Sequence, residues 1–240
     1  MTDRPAGRRA LIRRKSRETE VLVALDLDPA RPGAEIDTGI GFLDHLLTSL
    51  ATHAGFALKL VCRGDLEVDD HHSVEDCALA LGESLARALS RGGPPRRFGT
   101  GFAPLDEALA RAVVDLSGRA YCRAELRLGG SRIGELAGEN VAHFLWSLAS
   151  AARLTLHVDV LEGENSHHKA EAAFKALALA LKEACAAQGG ASSEGPEAPA
   201  EAPAEASAEA GPESTKGAVL LEEPSQAEWE RLKGAVDARA

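Results

Sequence analysis

Apolar and polar positions along the chain fall into two rounds of the same rhythm. Thr19 to Leu27 alternates with the period of a strand, and Pro29 to Gly33 predicts a turn after it. Gly41 to His53 carries Phe42, Leu43, Leu46, Leu47 and Leu50 at helical spacing, and Phe56 to Cys62 returns to alternation. Asp65 to Asp70 is polar and turn-like, and Ser73 to Ser90 has the Leu/Ala periodicity of a helix. The second round predicts strands at Ala112 to Leu116 and Tyr121 to Leu128, then a helix over Asn140 to Ala152. A strand over Leu154 to Leu161 and a long Ala/Leu helix over Lys169 to Ala187 complete it.

A direct overlay supports the repeat. His71-His72-x-x-Glu75 and His167-His168-x-x-Glu171 each follow a polar loop, and Leu58-x-Leu60 lies as far before His71 as Leu154-x-Leu156 lies before His167. An isolated histidine also recurs on the preceding helix: His45 is 26 residues before His71, and His143 is 24 before His167. The pattern predicts an α+β fold of two duplicated half-domains, about residues 10–95 and 105–187. Each pairs a small mixed β-sheet with two α-helices.

At Gln188 the composition changes. Residues 188–212 are almost wholly Ala, Glu, Pro, Gly and Ser, which cannot bury enough surface to offset their ordering entropy, so a disordered linker is expected. Residues 214–221 regain turn and apolar character, and Ser225-x-x-Glu228 predicts a capping box opening a short helix over 222–240. The formal net charge of -10 is concentrated here: from Gln188 onward eleven acids and four bases give -7, leaving -3 for residues 1–187. A nearly neutral body with only short basic clusters, Arg13-Arg14-Lys15 and Arg96-Arg97, offers no nucleic-acid or membrane surface. No apolar run is long enough to span a bilayer, and Met1 to Arg17 is basic without a signal-peptide core. Four cysteines with no CxxC pair argue against a disulfide framework or thiolate zinc, and a cytoplasmic setting is expected.

The histidines carry the chemistry. Six of the eight fall in the repeated constellation, and the other two, His53 and His157, read as ordinary core or surface residues. His71 and Glu75, like His167 and Glu171, are four apart and share one helix face, which suits a metal clip. Adding His45, His72, His143 and His168 gives eight N/O ligands for two ions. Pseudo-symmetry suggests two crossed sets: His71, Glu75, His143 and His168 on one ion, and His167, Glu171, His45 and His72 on the other. Four protein ligands on a six-coordinate metal leave positions open for substrate, as a catalytic site requires. Asp69, Asp70 and Asp76 are expected to orient the imidazoles.

Together these motifs resemble the imidazoleglycerol-phosphate dehydratase family of histidine biosynthesis. The likeness rests on residues 38–45 (TGIGFLDH), 70–76 (DHHSVED), 165–168 (NSHH), Arg97-Phe98-Gly99, Asp106-Glu107-Ala108-Leu109-Ala110, Glu139-x-x-x-His143-Phe144 and Arg14-x-Ser16-x-Glu18-Thr19. It covers about residues 10–187, and Ser214-Thr215-Lys216-Gly217 matches a family tail motif, which makes 188–212 an insertion. The resemblance implies the ribosomal protein S5 domain 2-like version of this fold and two Mn2+ ions per active site. It also implies a homo-oligomer, a 24-subunit shell whose sites are completed by neighbouring subunits.

By motif, the resemblance assigns the substrate phosphate to Arg97, Arg119, Lys175, Ser214 and Lys216, whose guanidinium and ammonium groups suit a dianion. The implied reaction removes water from imidazole glycerol phosphate to give imidazole acetol phosphate. With both ring nitrogens on metal the substrate becomes an imidazolate, which expels hydroxide through a diazafulvene-like intermediate. Glu18 or Glu171 would be the acid/base, and Glu18 is favoured because Glu171 is occupied as a ligand. Ser49 and Ala120 stand where the family often has Gln and Pro, and a family phosphatase fusion is not expected here. A di-metal hydrolase and a structural or metal-storage protein are the alternatives; the first needs a bridging carboxylate, and the second leaves the phosphate clamp unexplained.

Overall fold

The computed structural model describes residues 7–130, 132–188, 219–223, 225 and 227. The first half contains β1 (Arg9–Lys15), β2 (Thr19–Asp26), β3 (Gly33–Asp37), α1 (Gly41–Ala54), β4 (Ala57–Gly64) and α2 (His71–Ser90). The second contains β5 (Phe98–Leu105), β6 (Ala108–Asp115), β7 (Tyr121–Glu125), α3 (Gly138–Ala152), β10 (Thr155–Glu162) and α4 (Ser166–Cys185). A small ribbon of β8 (Arg132–Ile133) and β9 (Leu136–Ala137) precedes α3, and β11 (Leu220–Glu222) follows the rest.

The two sheets have one topology. Their orders are β11-β1-β2-β4-β3 and β5-β6-β10-β7. In each, the first two pairings of the repeated unit are antiparallel and the last, β3 with β4 or β7 with β10, is parallel. The duplicated half-domains predicted from the histidine motifs are thus seen in the strand order itself. Among the described residues of these two sheets only β11 has no counterpart; it pairs antiparallel with β1, Arg13 facing Glu222 and Lys15 facing Leu220.

The helices tie the halves together by crossing between them. α2 packs on β1 and β2 and also against α3, while α4 packs on β5 and β6 and also against α1. Small residues permit this closeness. A Cβ on Gly82 would sit 2.6 Å from the carbonyl oxygen of Leu148 on α3, and one on Gly101 would sit 2.1 Å from that of Ala176 on α4. Ala-rich faces complete the seam, with Ala172, Ala173, Ala176 and Ala180 fully buried on α4. One continuous apolar core therefore spans both halves.

Several boundaries differ from expectation. β1, β3 and β5 were not predicted: β1 is mostly charged, and β5 (FGTGFAPL) carries Gly and Pro against strand propensity. β7 ends at Glu125 rather than Leu128. Both motif helices begin earlier than their apolar period suggests, at His71 and Ser166; the N-cap side chain of α4, Asn165, makes a capping bond, whereas that of α2, Asp70, makes none. Asp69 Oδ1 accepts from the amide of His71 and Asn165 Oδ1 from that of His167, both at 2.8 Å. The expected linker over 188–212 and helix over 222–240 lie almost wholly outside the described residues.

Candidate metal centre

Crossing helices bring the motif side chains into two clusters, each drawn from both halves. In one, His45 of α1 meets His167 and Glu171 of α4; in the other, His71 and Glu75 of α2 meet His143 of α3. Within each, three donor atoms lie within 4.8 Å of one another. Nε2 of His45 and of His167 lie 2.9 Å and 3.2 Å from Glu171 Oε2. Nε2 of His143 lies 3.4 Å from Glu75 Oε1, and the rings of His71 and His143 stack at 4.7 Å between centroids. Imidazole nitrogens and one carboxylate oxygen, with no thiolate, fit a first-row divalent ion.

The fourth members of the expected sets stand apart from these clusters. His72 directs Nδ1 at Asp65, 3.0 Å and 3.2 Å from its two oxygens, and His168 directs Nδ1 at Glu107 Oε2, 2.7 Å away. His71 does the same with Asn140, Nδ1 to Oδ1 3.0 Å. Holding Nδ1 in this way fixes each ring, with Nε2 of His72 3.7 Å from Glu18 Oε2 and Nε2 of His168 3.7 Å from Asp106 Oδ2. Among the described residues neither ring joins a triad of its own chain. The hydrogen bond from His168 holds the Glu107 carboxyl at about 2, and Glu107 in turn raises His168 above its ordinary value.

The acid/base candidates occupy different surroundings. Glu171 is engaged on three sides, by His45, His167 and Lys175, whose Nζ lies 2.7 Å from Oε1. Burial pushes its carboxyl up, but the bonds from Lys175 and His45 outweigh burial and hold it at about 2. Glu18 lies in the β1–β2 turn, with Oε2 buried, without a hydrogen-bond partner, and 3.7 Å from Nε2 of His72.

The expected phosphate ligands do not all gather here. Lys175 is at the first triad, but Arg97 and Arg119 are at the far end of the second sheet. Arg97 pairs with Asp115 at 2.8 Å, and its amide donates to the carbonyl of Ala184 near the end of α4. At about 1.5 Å per residue, that anchor lies roughly 20 Å along α4 from Glu171. Arg119 lies in the Gly118-Arg119 turn just before β7, against Ser117 and Thr155. Ser214 and Lys216 lie outside the described residues.

Other expectations can be placed. Asp70 accepts from the amide of Ala137 at 2.7 Å, joining α2 to the start of α3, and Asp76 binds Arg14. The His157 ring lies tilted against that of Tyr121, 5.4 Å between centroids, and belongs to neither triad. Ser49, one turn along α1 from His45, is buried. Sequence reasoning missed Asp65 and Glu107 as partners of His72 and His168; the signal available for Glu107 was its place beside the β5–β6 turn.

A family model described as imidazoleglycerol-phosphate dehydratase matches residues 38–181. Curated relatives bearing that name include one from Candida glabrata, 49% identical over 192 residues (73% of this chain, 91% of its own), and one from Phaffia rhodozyma, 50% identical over 188 residues (76% and 91%). The crystal structure of the Staphylococcus aureus enzyme matches with a TM-score of 0.66 at 37% identity, covering 74% of this chain and 99% of that one. The Pyrococcus furiosus enzyme, solved in complex with (S)-C348, gives 0.65 at 35% identity, covering 73% and 94%.

Proposed function

Because this chain belongs to the imidazoleglycerol-phosphate dehydratase family, hydro-lyases of histidine biosynthesis, we propose that its two triads hold a pair of manganese ions and that Glu18 moves the proton. The observation that carries the proposal is the pairing of the two triads across the halves, each with two imidazoles and one carboxylate. His45, His167 and Glu171 would hold one ion, and His71, Glu75 and His143 the other. When bound, the ions supply Lewis acidity toward the substrate's imidazole ring. The protein's side chains do the rest. Asp65, Glu107 and Asn140 keep His72, His168 and His71 in fixed orientations. Glu171 is committed to two imidazoles and a lysine, whereas Glu18 has an oxygen in reserve for a substrate C–H proton.

One complete site takes groups from more than one copy of the chain. The roughly 20 Å between Glu171 and the anchor of Arg97 exceeds the reach of one substrate, and His72 and His168 present Nε2 outside their own triads. A symmetric shell that sets Arg97 and Arg119 of one copy beside the triads of another resolves both facts. Ser214 and Lys216 would close the phosphate site, with Lys175 shared between phosphate and Glu171.

The direct test supplies imidazole glycerol phosphate to manganese-loaded protein and assays the enolisable ketone. Glu18→Gln should abolish turnover with metal content unchanged; near-normal turnover would sink the assignment. Mixing subunits tests the shared site. Glu18→Gln and Arg97→Ala proteins, each inactive alone, should regain part of wild-type activity when co-assembled, and a mixture as inactive as its parents argues for a site within one chain.

A further inference from the structure

Glu18 needs aiming, because a hairpin turn leaves its side chains free of the strand ladder. Beneath that turn lies a buried polar network. Asp76, fully buried on α2, accepts from Nε and Nη2 of Arg14 at 3.0 Å and 2.9 Å, and its other oxygen accepts from Thr19 Oγ1. Thr19 Oγ1 lies 3.3 Å from Ser16 Oγ. Ser16 Oγ in turn accepts from the amides of Glu18 and Thr19, at 3.2 Å and 3.0 Å. The amide of Ser16 closes the turn on the carbonyl of Thr19 at 2.9 Å. Both sides of Glu18 are therefore tied to α2, one residue past Glu75.

We propose that Asp76 is a positioning residue for the dehydration, locking the 16–19 turn through Arg14 and Thr19 so that Glu18 is held beside His72. The inference rests on the reading of Glu18 as the acid/base. A buried polar network whose members are all satisfied is stiff, and an ionised carboxylate is a strong acceptor for both arginine and hydroxyl.

The second half supplies an internal control. There Ala172 follows Glu171 as Asp76 follows Glu75, and Ala108 opens β6 as Thr19 opens β2; both alanines are buried. The turn glutamate of that half, Glu107, is held directly. It bonds His168 at 2.7 Å and the amides of Glu164 and Asn165 at 3.2 Å and 2.9 Å. The network occurs under the glutamate whose buried oxygen has no hydrogen-bond partner and is missing under the one that is already hydrogen-bonded.

The test uses Thr19→Val, which keeps a β-branched strand residue and removes the hydroxyl, with Thr19→Ser as the rescue. Thr19→Val should lower kcat on the order of 10–100-fold, the scale expected for a misplaced catalytic group, while KM and metal content stay at wild-type levels. Thr19→Ser should restore kcat. Wild-type kcat in Thr19→Val with an inactive Glu18→Gln overturns the positioning role alone, as does a Thr19→Ser variant as slow as Thr19→Val. An active Glu18→Gln instead overturns the acid/base assignment. Should Thr19→Val fold poorly, Ser16→Ala removes the turn cap from a less buried site; it should lower kcat in the same sense, and an unchanged kcat would count against the proposal.

Discussion

The triad built by α1 and α4 and the triad built by α2 and α3 use the same donors against different backing. Lys175 lies against Glu171 and the Phe42 ring packs 4.8 Å from that of His167 in the first; Asn140 holds His71 and Trp146 stacks along His143 in the second. The first carboxylate is thus neutralised by a lysine as well as met by imidazoles, and the second meets the imidazole of His143. The difference separates what a metal demands from what a substrate demands. On the proposed function, donor type and spacing recur because an ion requires them, while the walls diverge where a phosphorylated, unsymmetrical substrate would meet the two triads differently.

Removing the ligand that crosses between halves should break the comparison most severely. His45→Ala and His143→Ala should each abolish turnover and cost one of the two ions, read by metal analysis; full metal content in either variant would contradict the pairing. Next in size, Asp65→Asn and Glu107→Gln free the rings of His72 and His168 and should weaken metal affinity by about 10–100-fold in a chelator titration. If only one of them matters, the halves are less equivalent than their topology. Lys175→Met should then tighten metal at the first triad several-fold while raising KM, because a positive charge leaves both the ion and the phosphate.

The smallest effect belongs to the second sheet alone. Hydrogen bonds from Arg111 and Arg123 to Asp159, both at 2.7 Å, hold its carboxyl below the ordinary value near 3.8. A depressed carboxyl stabilises the folded chain above its unfolded pKa, and that stability is lost as pH falls through the folded one. Asp159→Asn should therefore lower the melting temperature by a few degrees at neutral pH. The gap to wild type should close as pH falls from about 4 toward the depressed pKa.

The duplicated fold and both triads were legible because His-His-x-x-Glu pins donors at helical spacing, and because a repeat exposes its own register. The fourth ligands were grouped by symmetry alone, and spacing holds no information about which rings the fold of one chain brings together. β5 was hidden because Gly99 and Gly101 weaken its pattern for a tertiary reason: α4 backbone passes where their side chains would be. β1 was hidden for the opposite reason, since Arg13 and Arg14 look solvated until Glu20, Glu222 and Asp76 are seen opposite them. Arg97 and Arg119 read from sequence as companions of the triads, and only the direction of α4 shows the distance between them.

The crossing of the helices also bears on history. Every triad takes one histidine from the first helix of one half and a histidine and a glutamate from the second helix of the other. A half-length precursor with one copy of the repeat would hold an incomplete triad, and two such chains exchanging helix contacts about a two-fold axis would complete both. Fusion of two such genes would make that partnership covalent. Once joined, the two equals would be free to drift apart, one glutamate turn serving as a brace for an imidazole and the other, on the proposed function, as an instrument of proton transfer.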